Sequence, residues 1–419
     1  MFLCPTFNFK NPILSARVFE NGRNIGFSIK NCYSIRSGAI VDSTQREKIL
    51  IITGGEAKMT PVINKEAEGR GYKVYHIQQK NNQQPENWQK IKFKDANFLD
   101  TSHWEGFFTD IIKNADSLSV VNTIGAAVAP KGKSLKDINE KPILSILEAL
   151  KKIKKIPLRI GHVSSIAATY FPNDPKLHAN IDSQAKEYCL GRKNVDLILA
   201  ESPILTTILR PGFIFNDVIS GRLIDTGHDY SPEQFTTLLL HPVIGSGTQP
   251  HQPVYVGDLV QALFNGMETD QNHLVDAVGP ESMTQKEMIK FFLDLEEKPI
   301  RSVSIPHEVS AVIAKYFPKG RLAPYSVALL KHLEEHDRNP LCTASFEALV
   351  GKDLIKMRDI YKIPVDGFIY PSSPIPQHLV EIISGIATNS EARRDILRIT
   401  KKHGPYLILN ALKALFKPT

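Results

Sequence analysis

The residues best suited to chemistry stand at the end of a short apolar run, Lys48-Ile49-Leu50-Ile51-Ile52-Thr53-Gly54-Gly55. A helix-like segment follows, closed by Glu68-Gly69-Arg70-Gly71, and then a second apolar run, Val74-Tyr75-His76-Ile77. Strand, glycine turn, helix and strand in this order open a dinucleotide-binding sheet. The chemistry expected there is anion holding, because the free amides and dipole of a helix N-terminus favour a pyrophosphate. The turn is an altered copy of the glycine motif and reads Gly54-x-x-Ala57-x-x-Thr60. Ala57 adds a methyl where backbone would approach the pyrophosphate, and Thr60 a branched side chain where helix would pack on strand. Glu56 adds a negative charge beside the same site. The amides remain, so the turn either still binds a cofactor or survives only as a fold element.

The elements that must position this turn alternate along the chain. Runs at 91–93, 118–121, 159–163 and 205–209 read as strands, with helices between them. The segment from about Pro142 to Lys154 carries Ile143, Leu144, Ile146, Leu147, Leu150 and Ile153 at the spacing of a stripe facing a sheet. Such alternation predicts an α/β fold, a doubly wound parallel Rossmann-type sheet, with its strand-end loops along one edge. After Asn216 the pattern weakens. Short strands at 254–256 and 273–278 flank a helix at 258–267, and residues 282–360 read as mostly helical. The predicted organisation is an N-terminal extension (1–46), a Rossmann-like domain (47–275), a mostly helical C-terminal lobe (276–370) and a basic helical tail (371–419).

These residues resemble the atypical and extended short-chain dehydrogenase/reductases, in particular the branch of NmrA-like proteins and the Rossmann-type accessory subunit of respiratory complex I. The likeness covers about residues 47–300. It is carried in order by Ile52-Thr53-Gly54, Asn97-Phe98-Leu99-Asp100, Val121-Asn122-Thr123-Ile124-Gly125, Asp137-Ile138-Asn139 and Val163-Ser164-Ser165. Leu209-Arg210-Pro211-Gly212-Phe213, Pro253 to Leu259, and Val278-Gly279-Pro280-Glu281 with Thr284 and Glu287 complete it.

The resemblance implies an NAD(P) cofactor near Thr53, Gly54, Ala57, Thr60, Lys80, Asn97, Gly125, Ala126 and Pro211. An acid after the second strand would select NAD through the ribose hydroxyl. The sequence there is Ile77-Gln78-Gln79-Lys80, so NADP is favoured, with Lys80 beside the 2′-phosphate. The resemblance also implies Ser165 and Lys186 as catalytic residues. A tyrosine belongs four residues before that lysine, where the ammonium would lower the phenol's pKa. Asp182 stands there instead and, paired with Lys186, would be ionised and unable to donate a proton. Tyr170, five residues after Ser165, could substitute. The alternatives are an oxidoreductase or epimerase-like enzyme on a small organic substrate, or a non-catalytic dinucleotide sensor or assembly protein. His162 reads as a satisfied core histidine. Gly245-Ser246-Gly247 lacks the strand-to-helix setting of a nucleophile elbow.

Composition sets the outer bounds. Hydrophobic content of 42% and charged content of 23% over 419 residues are those of a globular protein with a large core. A net charge of +7 without a basic-aromatic motif does not call for nucleic acid. Cys4, Cys32, Cys189 and Cys342 form no metal-ligand spacing and fit reduced cytosolic thiols. Residues 1–46 are basic and acid-poor, as in an extension or an organelle presequence. In the tail, Thr388-Asn389-Ser390-Glu391 reads as a capping box before Arg393, Arg394, Arg398, Lys401 and Lys402. Residues 388–417 are basic and apolar enough to fold back on the body or to meet a protein or membrane surface. The expected location is cytoplasmic, peripheral to a membrane if the tail engages one.

Overall fold

The structure is a computed structural model and describes residues 4–6, 15–20, 23–28, 47–54, 59–79, 93–96, 100–126, 134–170, 183–215, 218–219, 222–223, 240–295, 301–316, 327, 331, 334, 340–360 and 389–403. It divides into two compact units, Met1–Gln45 and Arg46–Thr419.

In the first unit β1 (Cys4–Thr6), β2 (Ser15–Glu20) and β3 (Arg23–Ser28) form an antiparallel sheet in that order. Its register opposes Glu20 to Arg23. The extension expected from sequence therefore carries strands.

The second unit runs β4 (Glu47–Thr53), α1 (Thr60–Gly69), β5 (Tyr72–Gln79), β6 (Phe93–Ala96), α2 (Thr101–Ile111) and β7 (Ala115–Asn122). Next come α3 (Leu135–Asn139), α4 (Lys141–Leu150), β8 (Leu158–Val163), α5 (Ala167–Tyr170), α6 (Ser183–Ala200) and β9 (Leu205–Pro211). After some short strands, α7 (Val256–Met267) and β10 (His273–Ala277) complete the sheet. Its seven strands lie in the order β10-β9-β8-β7-β4-β5-β6, and every neighbouring pair is parallel. This is the doubly wound sheet, with its switch point between β4 and β7.

Both faces are covered, which is why β4 reads as an unbroken apolar run. Leu50 and Ile52 face α1 and α7, beside Ile63, Ala67 and Phe264. Ile49 and Ile51 face the other layer, with Trp104 and Phe108 of α2, Ile146 and Leu150 of α4, and Val195 and Leu199 of α6. The period of two within one hydrophobic run thus feeds two cores. Helix α4 stops at Leu150, short of the expected Lys154, because the chain tightens: the Lys152 and Ile153 amides donate to carbonyls three residues back.

Beyond β10, α8 (Gln285–Leu295) opens with a reciprocal capping box. The Thr284 amide donates to Glu287 Oε2 at 2.7 Å, and the Glu287 amide donates to Thr284 Oγ1 at 3.1 Å. Residues Arg301–Ile305 pair in parallel with Leu240–Ile244, a strand inside a region read as mostly helical. Helix α9 (His307–Tyr316) follows, and α10 (Ala344–Val350) packs Phe346 and Val350 against α7. Helix α11 (Ser390–His403) is capped by Asn389, whose Oδ1 accepts from the Glu391 and Ala392 amides; the cap falls one residue after the expected Thr388. Among the described residues no helix is long and apolar enough to cross a membrane.

Candidate functional site

The carboxyl ends of the parallel strands bring together Thr53 and Gly54 (β4), Gly125 and Ala126 (after β7), Ser165 (after β8) and Pro211 (β9). Gly54 has φ of +75°, and a Cβ there would lie 2.8 Å from Thr123 Oγ1. Only glycine meets both demands. The Thr123 hydroxyl is shared between the carbonyls of Thr53 (2.7 Å) and Gly54 (3.1 Å), and the Thr123 amide also donates to Thr53 O at 3.1 Å. The turn after β4 is thereby stitched to the loop after β7, across the switch point.

That second loop has its own clamp. The Ala126 amide donates to Asn139 Oδ1 at 2.9 Å, and Asn139 Nδ2 donates to the Ala126 carbonyl at 3.1 Å. Asn139, nearly fully buried on α3, acts there as a second backbone. Its position in the motif Asp137-Ile138-Asn139 has this physical cause. Asp100 likewise caps α2, accepting from the amides of Ser102 and His103.

Beneath the edge runs a buried polar row. Thr53 Oγ1 donates to Asn122 Oδ1 at 2.7 Å, and Asn122 Nδ2 lies 3.0 Å from His162 Nδ1. Full burial, with the nearby charge of Arg192, pushes His162 down to about 3, so the ring is neutral and accepts through Nδ1. On α6, Asp196 receives Arg210 Nε at 2.6 Å. Burial raises the Asp196 carboxyl, and Arg210 opposes that shift. Arg210 Nη1 continues to Thr169 Oγ1 at 3.2 Å, which in turn donates to Asp276 on β10. The arginine of Leu209-Arg210-Pro211 is therefore a structural tie between β9, α5 and α6.

Ser165 Oγ accepts from the Ala167 amide at 3.2 Å. The Pro211 carbonyl accepts from the Ile166 amide at 2.9 Å and so anchors this turn to β9. Lys186 is partly buried in the first turns of α6. Tyr170 ends α5. Thr60 is wholly buried at the start of α1, and its hydroxyl has no hydrogen-bond partner among the described residues. Ala57, Lys80, Asn97 and Asp182 lie outside the described residues.

One residue at the edge was missed from sequence. Arg192 of α6 is only 6% exposed, and its guanidinium fills the space that Gly125 leaves: a Cβ on Gly125 would fall 1.7 Å from Nη2. The sequence carried only part of the signal. On the inward stripe of α6, Ala185, Tyr188, Cys189, Val195 and Leu199 are interrupted by two charged residues four apart, Arg192 and Asp196.

The first turn of α1 carries no side-chain cap and no acid; Pro61 has no amide hydrogen, the Val62 and Ile63 amides both donate to the Met59 carbonyl at 3.1 Å, and the Thr60 hydroxyl, without a hydrogen-bond partner among the described residues, stands at the same helix end.

No family model and no curated relative matches the chain. Solved structures do. UDP-glucose 4-epimerase of Thermotoga maritima, solved with UDP-glucose, aligns over 76% of this chain and 98% of its own, at 16% identity and TM-score 0.52. UDP-glucuronic acid 4-epimerase of Bacillus cereus, solved with UDP-glucuronic acid and NAD, aligns over 76% and 98% at 14% identity and TM-score 0.53. An epimerase of Methanothermobacter thermautotrophicus aligns over 82% and 96% at 15% identity and TM-score 0.54. The fold is thus the Rossmann-type α/β fold that these epimerases share.

Proposed function

We propose that the chain binds a nicotinamide dinucleotide across the carboxyl edge of its sheet and acts as an oxidoreductase or epimerase-like enzyme on a small organic substrate. The observation that carries this reading is the switch point, where the glycine turn at Gly54, too tight for any Cβ, is stitched to the loop after β7 through Thr123. The fold likeness to an epimerase solved with NAD supports the same cofactor class. Gln78-Gln79-Lys80, with a cation and no acid, supports NADP over NAD.

When bound, the dinucleotide supplies hydride exchange. The chain's own residues supply the rest. Ser165, its oxygen already accepting from Ala167, directs its proton to a substrate oxygen. Lys186 holds positive charge near the same edge and stabilises a developing oxyanion. With aspartate at position 182, Tyr170 is the proton donor.

A second reading is a non-catalytic dinucleotide sensor or accessory protein, as the resemblance to NmrA-like proteins and the complex I subunit supports. Asp182 in the tyrosine position and Arg192 in the space at Gly125 favour it. Helix α11, with Arg393, Arg394, Leu397 and Arg398 exposed, would then supply contact with a protein or membrane surface. Titration with NADPH and NADH, followed by turnover assays on a carbonyl panel with Lys186→Ala as control, separates the two. Turnover lost in Lys186→Ala supports the enzyme; binding with no turnover in either form supports the sensor.

A further inference from the structure

Among the described residues Arg192 has no ion-pair partner; Asp196 acts on it only at longer range. Its Nε and Nη1 atoms are buried and have no hydrogen-bond partner among the described residues. The nearest buried carboxylate on the helix face, Asp196, already binds Arg210 through Oδ2. Tyr188, one turn earlier, offers its ring 5.4 Å from the Arg192 guanidinium carbon, a cation–π contact that partly replaces lost solvation. His162, the other polar neighbour, is held neutral by burial and by this same charge. A guanidinium is a rigid fork of five donors that fits carboxylate and phosphate oxygens two at a time. Here the fork lies against the exposed loop residue Gly125, which is clamped by Asn139 through Ala126 and stitched to the Gly54 turn through Thr123.

We infer that Arg192 is an anion-holding residue of the strand-edge cleft, and that the chain's ligand places a carboxylate or phosphate oxyanion against it at Gly125. This rests on the reading of that edge as the ligand cleft and deepens it by naming the chemical class bound. Gly125 acquires a second role: it is small so that the arginine can reach the edge. An uncompensated buried cation is costly in the free protein, and the ligand's oxyanion neutralises it. The oxyanion belongs either to the dinucleotide or to an acidic substrate.

The test uses the full chain, with Arg192→Met, Arg192→Lys and Gly125→Ala. Thermal shift and calorimetry are run with inorganic pyrophosphate, succinate and NADPH, with chloride at matched ionic strength as control. The wild type is expected to be stabilised saturably by at least one oxyanion. Arg192→Met is expected to bind it at least tenfold more weakly, yet melt no lower than wild type without ligand, because an unpaired buried charge has gone. Arg192→Lys retains part of the response. Gly125→Ala, whose methyl displaces the guanidinium, weakens binding similarly and serves if the methionine variant does not fold.

Loss of the NADPH and pyrophosphate responses identifies the dinucleotide phosphate as the source, and loss of succinate alone identifies a substrate carboxylate. Wild-type affinity for every probe in folded Arg192→Met and Gly125→Ala overturns the inference, as does a wild type that responds to no oxyanion. A wild type that ignores NADPH but binds succinate through Arg192 removes the cofactor reading and leaves the inference standing.

Discussion

Asn139 grips Ala126 by both of its backbone groups, at 2.9 and 3.1 Å, and so sets the position of the loop that carries Gly125. Replacing Asn139 with alanine leaves two backbone groups of that loop unmet. The expected loss is about 1–3 kcal/mol of stability in urea unfolding, with weaker dinucleotide binding. Asn139→Asp, which keeps one acceptor and loses the donor, should fall between.

Gly54→Ala should cost at least ~1–2 kcal/mol, the penalty of a left-handed L-residue, and more through displacement of Thr123. Urea unfolding of Gly54→Ala in the wild-type and Thr123→Ser backgrounds checks this. Serine keeps the hydroxyl that the new methyl meets, so the penalty should persist in both.

Acid should destabilise the protein through buried histidines. Burial pushes His162 to about 3 and His76 to about 4, both below the ordinary 6.5. The unfolded chain therefore binds more protons below that value. Their contribution is full above pH 6.5 and is lost as pH falls towards the folded values, by roughly 2 kcal/mol per histidine at pH 5. Urea unfolding across pH 5 to 8 reads the slope, and His162→Gln, which can still accept from Asn122, should flatten it.

The cap at Thr284 offers a control away from the cleft. Thr284→Ala should lower stability by ~1 kcal/mol in thermal unfolding. Glu287→Ala added to it should cost less than it does alone, because the two residues satisfy each other's amides.

The sheet was legible because two cores are written into one run. Ile49 to Ile52 are all buried, alternately against two helical layers, and that demands a strand covered on both faces. The strand at Arg301–Ile305 was readable in its alternation of Arg301, Val303 and Ile305 with Ser302 and Ser304. Its partner Leu240–Ile244 was obscured by Pro242, which a two-stranded pair tolerates because one edge of each strand is unpaired. The site was only half readable. Gly54 and Ser165 could be placed because a strand end fixes them. Arg192 could not, because its role depends on a side chain reaching from α6 to a loop more than sixty residues earlier, and local pattern records only that a charge sits on an inward face.

Titrating purified protein into NADPH and NADH while following nicotinamide fluorescence asks whether this edge holds a nicotinamide dinucleotide. A saturable change with both is expected, tighter for NADPH. No response to either at millimolar concentration would rule the dinucleotide out.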